Sequence, residues 1–279
     1  MTPTVFFAVL LAAFLHAAWN AVVKGGADRL AGMAGMSLGH AVPGALAVLL
    51  LPAPAPESWP WIGLSVALHF GYQWFLLRAY ELGDFTQVYP LARGSAPLIV
   101  TAVSVALLGA ALSGAQLLAV ALIAAGILSI SLARAGRANP RAVAAALATG
   151  GFIAAYSLAD GMGARASGSP VAFFGWAALL GAVPFGIYVE LRRPGLVMRL
   201  PRAAPAAFFF GGWASFAAYA IVVWAFTQAP LPLVAALRET SIAFALLLGS
   251  LFLRERVDAS RVASVFLTLC GAALIRLAR

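Results

Sequence analysis

LIAAGILSISLAR (residues 122–134) and LTLCGAALIRLAR (residues 267–279) read as two copies of one segment, 145 residues apart. LARGSA (91–96) lies over ALRETS (236–241) at the same spacing of 145, AVP (41–43) over AVP (182–184) at 141, and HAAWNAVVKGGA (16–27) over IAAYSLADGMGA (153–164) at 137. The matches keep their order and the spacing drifts in one direction, as a duplication followed by small insertions would leave it. The chain therefore divides into two related halves, 1–135 and 138–279.

Composition says what each half is made of. Hydrophobic residues are 63% of the 279, charged residues 10%, and mean hydropathy is +0.97. Those values place the chain in a bilayer and override the soluble domains its length would suggest. A spanning helix needs about 20 mostly apolar residues, and ten stretches qualify: 3–23, 30–51, 60–80, 85–109, 114–134, 141–163, 170–190, 203–226, 231–252 and 259–277. The first has no basic residue before Lys24 and opens on Thr2-Pro3, a helix start, so it reads as a retained membrane helix rather than a signal peptide. Five passes per half is an odd number, so the second half must enter the membrane inverted. The expected fold is an all-α integral membrane protein, ten transmembrane helices as two inverted five-helix repeats around a central cavity, a recurring plan of secondary transporters.

Charge and cysteine usage narrow the partners. The net charge of +9 is carried by Lys and Arg flanking apolar segments, with no basic, aromatic-interleaved face, so the lipid bilayer is the expected partner and nucleic acid is not. Cys270 stands alone, which excludes a disulfide within the chain. Paired-His and Asp-rich spacings are missing, so no metal and no cofactor is expected. GMSLG (35–39) has the GxxxG form and predicts close packing of the second helix. Thirteen basic residues flank the loops after segments 1, 3, 5, 7 and 9, against Arg165, Arg276 and Arg279 on the other side. The positive-inside rule then puts both termini outside the cytoplasm.

Arg93 and Arg238 belong to neither loop group. Each sits about eight residues into its segment, roughly 10–12 Å below the surface at 1.5 Å per residue. A charge there costs about 2.5–3.5 kcal/mol on insertion scales and usually faces a bundle interior or a wet path. Two readings stand: the guanidiniums hold a substrate carboxylate, or they are paired internally, with Glu239 as the partner of Arg93. Arg238 and Glu239, adjacent on a helix, point about 100° apart and are not expected to pair. Pro90 and Pro97, and Pro230 and Pro232, mark the same two segments as candidate bending gates, since proline frees a carbonyl and permits a kink. Trp19, Asn20 and His16 share a face of the first helix. Tyr156, Ser157 and Asp160 occupy the equivalent place in the sixth, His69, Tyr72, Gln73 and Trp74 lie on the third, and Trp213, Ser215 and Tyr219 on the eighth. Aromatic walls with few polar groups suit a small-molecule pocket. Asp160 and Glu239 are the acids set well inside segments; either could carry a proton, or neutralise an arginine or Lys24.

HAAWNAVVKGGAD (16–28), AYELGDFTQVYPLARGSAPLIV (79–100) and AALRETSIAFALLLGSLFLRERV (235–257) resemble the drug/metabolite transporter superfamily, specifically its ten-helix EamA-type members. Glu255 matches an acidic residue often found there, while LLGAALSGAQ (107–116) has no such Glu in the first half. Pro97, Tyr72 beside Gln73, and Tyr219 are also similar to YddG-type amino-acid exporters. That resemblance implies alternating access around a cavity lined by helices 1, 3, 4, 6, 8 and 9. It also implies cytoplasmic termini, against the charge count, which leaves the direction of transport open.

The expected function is secondary transport in the bacterial inner membrane, exporting aromatic and other amino acids or similar small zwitterionic metabolites, with a monomer as the unit. Arg93 and Arg238 would handle the carboxylate, and Trp19, Tyr72, Tyr156 and Tyr219 the walls. Asn20, Gln73, Ser95 and Glu239 would fix orientation, with Glu239 or Asp160 meeting the ammonium. The alternative is a membrane-embedded enzyme acting on a lipid or polyprenyl carrier, but such enzymes need clustered acids, metal ligands or a nucleophile with its base.

Overall fold

The computed structural model describes residues 1–24, 28–132, 139–252 and 258–278. The side chain of Lys24, together with Arg134, Arg137, Arg254, Glu255, Arg256 and Arg279, lies outside the described residues. The helices are α1 (Pro3–Lys24), α2 (Arg29–Gly39), α3 (Ala41–Leu50), α4 (Trp59–Leu82), α5 (Phe85–Ala106), α6 (Gly114–Leu132), α7 (Pro140–Ser167), α8 (Pro170–Arg192), α9 (Leu196–Ala203), α10 (Gly212–Gln228), α11 (Leu231–Arg238), α12 (Ser241–Phe252) and α13 (Ala259–Leu277). α2 and α3 make one pass, α11 and α12 another, and a π-helical turn at Ala206–Gly211 completes the pass of α10. Nine described passes are long and apolar enough to cross a membrane by length and composition. The tenth, α4, is 24 residues long and carries His69, Tyr72 and Gln73 in its middle. Phe7, Leu49, Leu50, Leu107, Leu191 and Leu277 stand exposed on the outside, where lipid would cover them.

Two passes are broken at mid-length, and local chemistry gives the cause of each. Pro43 has no N–H to donate to the Gly39 carbonyl four residues back, and α2 stops there, with His40 between it and α3. At Glu239–Thr240 the backbone tightens: Glu239 N–H donates to the Ala236 carbonyl (3.0 Å), Thr240 N–H to that of Leu237 (3.1 Å), and the Thr240 hydroxyl adds a bond to Leu237 (2.8 Å). Broken helices inside a membrane are tolerated where protein buries the freed groups or a cavity hydrates them. Neither break is visible in the hydropathy, which continues across both. The prolines expected to bend the ninth pass do something else. Pro230 precedes α11 and Pro232 sits in its first turn, where a missing N–H costs nothing; the bend lies at Glu239–Thr240 instead. Pro90 and Pro97 are inside α5, which remains one helix.

Four helices start on the basic face with a side-chain cap. Asp28 accepts from Ala31 N–H (3.0 Å), Asp84 from Thr86 (2.7 Å), Asn139 from Arg141 (3.0 Å) and Asp258 from Arg261 (2.9 Å). Asp28 also pairs with Arg193 across to the end of α8. Burial pushes the Asp28 carboxyl up, but the Ala31 N–H and the Arg193 guanidinium outweigh it and hold the group below the usual carboxylate range. A depressed value means stability that is present above the usual carboxylate range and lost as pH falls through the lowered one. Asp28→Ala is therefore expected to cost about 1 kcal/mol at neutral pH, mainly from the cap, the half-exposed pair adding little. The cost should fade in acid when thermal unfolding is followed across pH; a cost independent of pH would rule out the ionised cap.

Helices α6 and α13 cross through a reciprocal contact. A Cβ on Gly126 would lie 2.9 Å from the Ser264 carbonyl oxygen and 3.0 Å from Thr268 Oγ1; one on Gly271 would lie 2.7 Å from the Ala119 carbonyl oxygen and 2.6 Å from Ile123 Cγ1. Residues 119, 123 and 126 shifted by the sequence spacing of 145 are 264, 268 and 271, so each contact is the other with the halves exchanged. Between α8 and α10, where the sequence suggests only a loop, α9 lies with Leu196 and Leu200 buried and Met198 exposed.

Candidate substrate site

A vestibule of about 500 Å³ enters from the basic face, its rim marked by Arg29, Thr86 and Arg261 at the ends of α2, α5 and α13. It narrows to His16, Trp19, Met36 and Tyr72, which it shares with a deeper cavity of about 100 Å³. The deeper cavity holds His40, His69, Gln73, Tyr156 and Tyr219, with Arg93 and Arg238 in its wall. Beyond it the path is blocked by stacked rings: Phe174 on Phe216 (centroids 5.0 Å apart), Phe174 against Tyr219 (4.9 Å), and His40 edge-on to both phenylalanines. On the far face Arg165 ties α7 to the end of α10 through the carbonyls of Phe226 (2.9 Å) and Ala229 (3.0 Å).

Arg93 and Arg238, expected from matched positions in the two halves, do converge. Arg93 Nε lies 2.7 Å from Glu239 Oε2, and Arg238 Nε lies 3.5 Å from Glu239 Oε1. All three side chains are at most 5% exposed. The internal partner named for Arg93 is thus present, and the expectation that Arg238 would not reach Glu239 is corrected: both residues are helical, and their long side chains bend back to within 3.5 Å of each other. The first half has Gly94 where the second has Glu239, so two guanidiniums share one carboxylate and the cluster keeps a surplus positive charge. The pairing is close in distance but poor in direction, since neither Nε nor either Glu239 oxygen makes an aligned hydrogen bond. Arg93 donates to the Ser241 hydroxyl (3.3 Å). Arg238 lies over the rings of Tyr156 (6.0 Å) and Tyr219 (5.8 Å), a cation–π arrangement that faces its charge to the cavity. Pro97 cannot donate to the Arg93 carbonyl, which loosens α5 at the same level.

A second polar group lies behind the opposite wall. Tyr219 donates to Asp160 Oδ2 (2.6 Å), His69 Nε2 lies 3.8 Å from the same oxygen, and the His69 ring stacks on Tyr156 at 4.1 Å. Asp160 and Glu239 are 0% exposed and line neither cavity. The expectation that one of them meets a substrate ammonium is therefore corrected: each is screened from the cavity, Asp160 by His69 and Tyr219, Glu239 by the two arginines. Ser95 is also displaced; its hydroxyl donates to the Ala92 carbonyl (3.1 Å) and packs on Gly150 of α7, away from both cavities. Trp74 and Trp213, grouped with the pocket by helical spacing, stand 40% and 46% exposed on the outer surface. Trp19, Tyr72, Tyr156 and Tyr219 all line the deeper cavity. Gln73 donates to Ser37 Oγ (2.8 Å) within the deeper cavity, and Asn20 donates to the His16 carbonyl (2.8 Å) in the vestibule, which Pro90 also lines.

His40, Met36 and Phe174 reach the deeper cavity and were not anticipated. The signal for His40 was present as a polar residue between Gly39 and Pro43, at a place where a helix can break. Two buried ring nitrogens, Trp19 Nε1 and His40 Nε2, have no hydrogen-bond partner. Trp19 Nε1–H is a donor without an acceptor beside a cavity that also presents two cations.

Comparison with known proteins agrees with this architecture. Residues 141–277 match the model of the EamA-like transporter family. No curated protein matches the chain. Among solved proteins, one crystal structure covers 99% of this chain and 98% of its own with a TM-score of 0.76 and 20% identity, a likeness that shows the fold alone. The apolar helical passes among the described residues mark a multi-pass membrane protein, and the EamA-like transporter family domain over residues 141–277 places it in the drug/metabolite transporter superfamily.

Proposed function

We propose that the protein is a secondary carrier of the bacterial inner membrane that exports amino acids or similarly small zwitterionic metabolites by alternating access between two inverted halves, 1–135 and 138–279. The observation that carries the reading is the shared carboxylate: Arg93 and Arg238 divide Glu239 between them, and both line the deeper cavity. A surplus guanidinium at the end of an aqueous vestibule attracts a carboxylate and can hold it with two parallel hydrogen bonds. Trp19 Nε1–H offers a further donor, and the faces of Trp19, Tyr72 and Tyr156 suit an ammonium or an aromatic side chain. The reciprocal crossing of α6 and α13 supports the two halves. The open vestibule on one face and the ring plug on the other support a carrier resting in one of two states. With the basic face taken as cytoplasmic, the site is open to the cell interior, as an exporter awaiting substrate would be.

Purified protein in liposomes is expected to take up at least one member of a panel of radiolabelled amino acids above protein-free vesicles. Arg238→Gln should lower that uptake at least about tenfold, the effect of losing roughly 1.4 kcal/mol or more of a charged hydrogen bond. The matching hydroxy acids, which lack the ammonium, test the other end of the substrate: equal uptake of those acids would replace zwitterion by monocarboxylate. If neither class moves, the amino-acid reading is abandoned.

A further inference from the structure

The Arg93–Glu239–Arg238 cluster accounts for one buried acid; the other, Asp160, has no part in holding a carboxylate. Asp160 is 0% exposed, its Oδ2 accepts a hydrogen bond from Tyr219, and the Ser65 hydroxyl is a second neutral donor beside it. An ionised carboxylate so placed carries a large desolvation cost that neutral hydroxyl donors do not offset. The partner that could offset it is His69. Its Nδ1 lies 3.0 Å from the Ser65 carbonyl oxygen, which can only accept, and 3.3 Å from the Ser65 hydroxyl, which can do either; the shorter contact favours hydrogen on Nδ1. With the hydrogen there, the Nε2 lone pair faces Asp160 Oδ2, 3.8 Å away. Two lone pairs facing each other in a dry wall repel; one proton between them, on Nε2 or on the carboxyl, removes the conflict.

We propose that His69 and Asp160 together form the carrier's proton-binding site, holding one exchangeable proton that reaches the cavity through His69. The proposal rests on the transport reading and names the coupling ion for it. His69 is the route because its side chain is 25% exposed into the deeper cavity while Asp160 is sealed. The proton comes from cavity water onto the imidazole, is shared with the carboxylate, and leaves by the same path; no bond other than N–H or O–H is made or broken. The groups around the pair are Tyr156 of α7, stacked on the imidazole; Tyr219 of α10, bonded to the carboxylate; His40, between α2 and α3; Tyr72 of α4; and Arg238 of α11, across the rings of Tyr156 and Tyr219. Arg238 opposes added positive charge and so favours release. Bound proton and the neighbouring arginine thus sense each other through two tyrosine rings.

The test needs no transported solute. Infrared spectra of the full-length protein in lipid are recorded while pH is stepped between about 5 and about 8, the range in which histidine titrates. A carboxyl or carboxylate band that changes reversibly with pH is expected, together with its loss in Asp160→Asn. His69→Gln, a change at the cavity wall that should be tolerated if the first variant does not fold, is expected to shift the titration by at least about one pH unit, a tenfold change in proton affinity. A wild-type protein with no titrating band, a band that survives Asp160→Asn, or a titration unmoved in His69→Gln overturns the proposal. Amino-acid uptake without a titrating band removes the proton site and leaves the carrier. A titrating band that behaves as expected without amino-acid uptake supports the proton site and removes the amino-acid assignment instead.

Discussion

Replacing Glu239 by glutamine is expected to destabilise the protein by about 5 kcal/mol, the upper end for removing one partner of a buried ion pair. Two guanidiniums, each at most 5% exposed, would be left without an anion and facing the same space. Arg93→Ala should cost less, about 3 kcal/mol, because Arg238 remains 3.5 Å from the carboxylate and keeps the cluster neutral. The order of the two effects is the informative part. A single pair would make the two deletions equal; one acid shared by two bases makes loss of the acid worse. Combining Arg93→Gln with Glu239→Gln leaves one unpaired guanidinium instead of two and should recover part of the loss. Thermal unfolding in one detergent measures all four proteins, with the thiol of Cys270 as a reporter of exposure. Glu239→Gln as stable as the native chain would mean that water already satisfies both arginines, and the surplus charge invoked for substrate attraction would not be a property of a dry cluster.

The same cluster shows how far sequence reasoning reached. Arg93 and Arg238 stood out because a charge deep in an apolar run has few explanations, and repeat alignment put them at matched depths. The pairing of Arg93 with Glu239 was legible as one of two readings, and the approach of Arg238 to the same carboxylate was not, because the reach of long side chains is not read from helical angle alone. The break after Glu239 was hidden as well, since breaks are written in backbone hydrogen bonds that hydropathy does not record. His40 was missed for the same reason: the pass it interrupts is apolar on both sides, and Pro43 reads equally well as an ordinary kink. Passes were found because a bilayer imposes length and apolarity. α4 was found in the same way, although His69, Tyr72 and Gln73 dilute its hydropathy. Angular position was harder. Ser95 lies two residues from Arg93, enough to turn it onto α7, and Trp74 is one residue from Gln73, enough to turn it outward. Asp160 was recognised as buried and titratable, but its partners Tyr219 and His69 come from two other helices 59 and 91 residues away in sequence, and no local pattern names them.

GMSLG (35–39) predicted close packing of the second helix, and the partner proves to lie within the chain. Gly39 meets Gly212 where α2 ends against the start of α10: a Cβ on Gly212 would come 2.6 Å from the Gly39 carbonyl carbon and 2.7 Å from its Cα. Both obstacles are backbone, so no rotamer change can relieve them, and the two passes would have to separate. Gly212→Val is accordingly expected to cost about 3 kcal/mol, the top of the usual range for overpacking, where flexible side chains normally absorb part of the strain. Gly151→Ala is the matched control. It adds a Cβ to the interior of α7, with nothing within 4 Å to meet it, and should stabilise the protein by about 0.5–1 kcal/mol through helix propensity alone. The contact also bears on transport, because α2 supplies Met36 and Ser37 to the deeper cavity one turn before Gly39, and His40 follows directly. A wider separation there would move three cavity residues together. Gly212→Val protein that still folds should therefore lose uptake more than it loses stability. A variant that unfolds no earlier than the native chain would show that α2 and α10 do not touch in the membrane, and the narrow cavity between them would have to be redrawn.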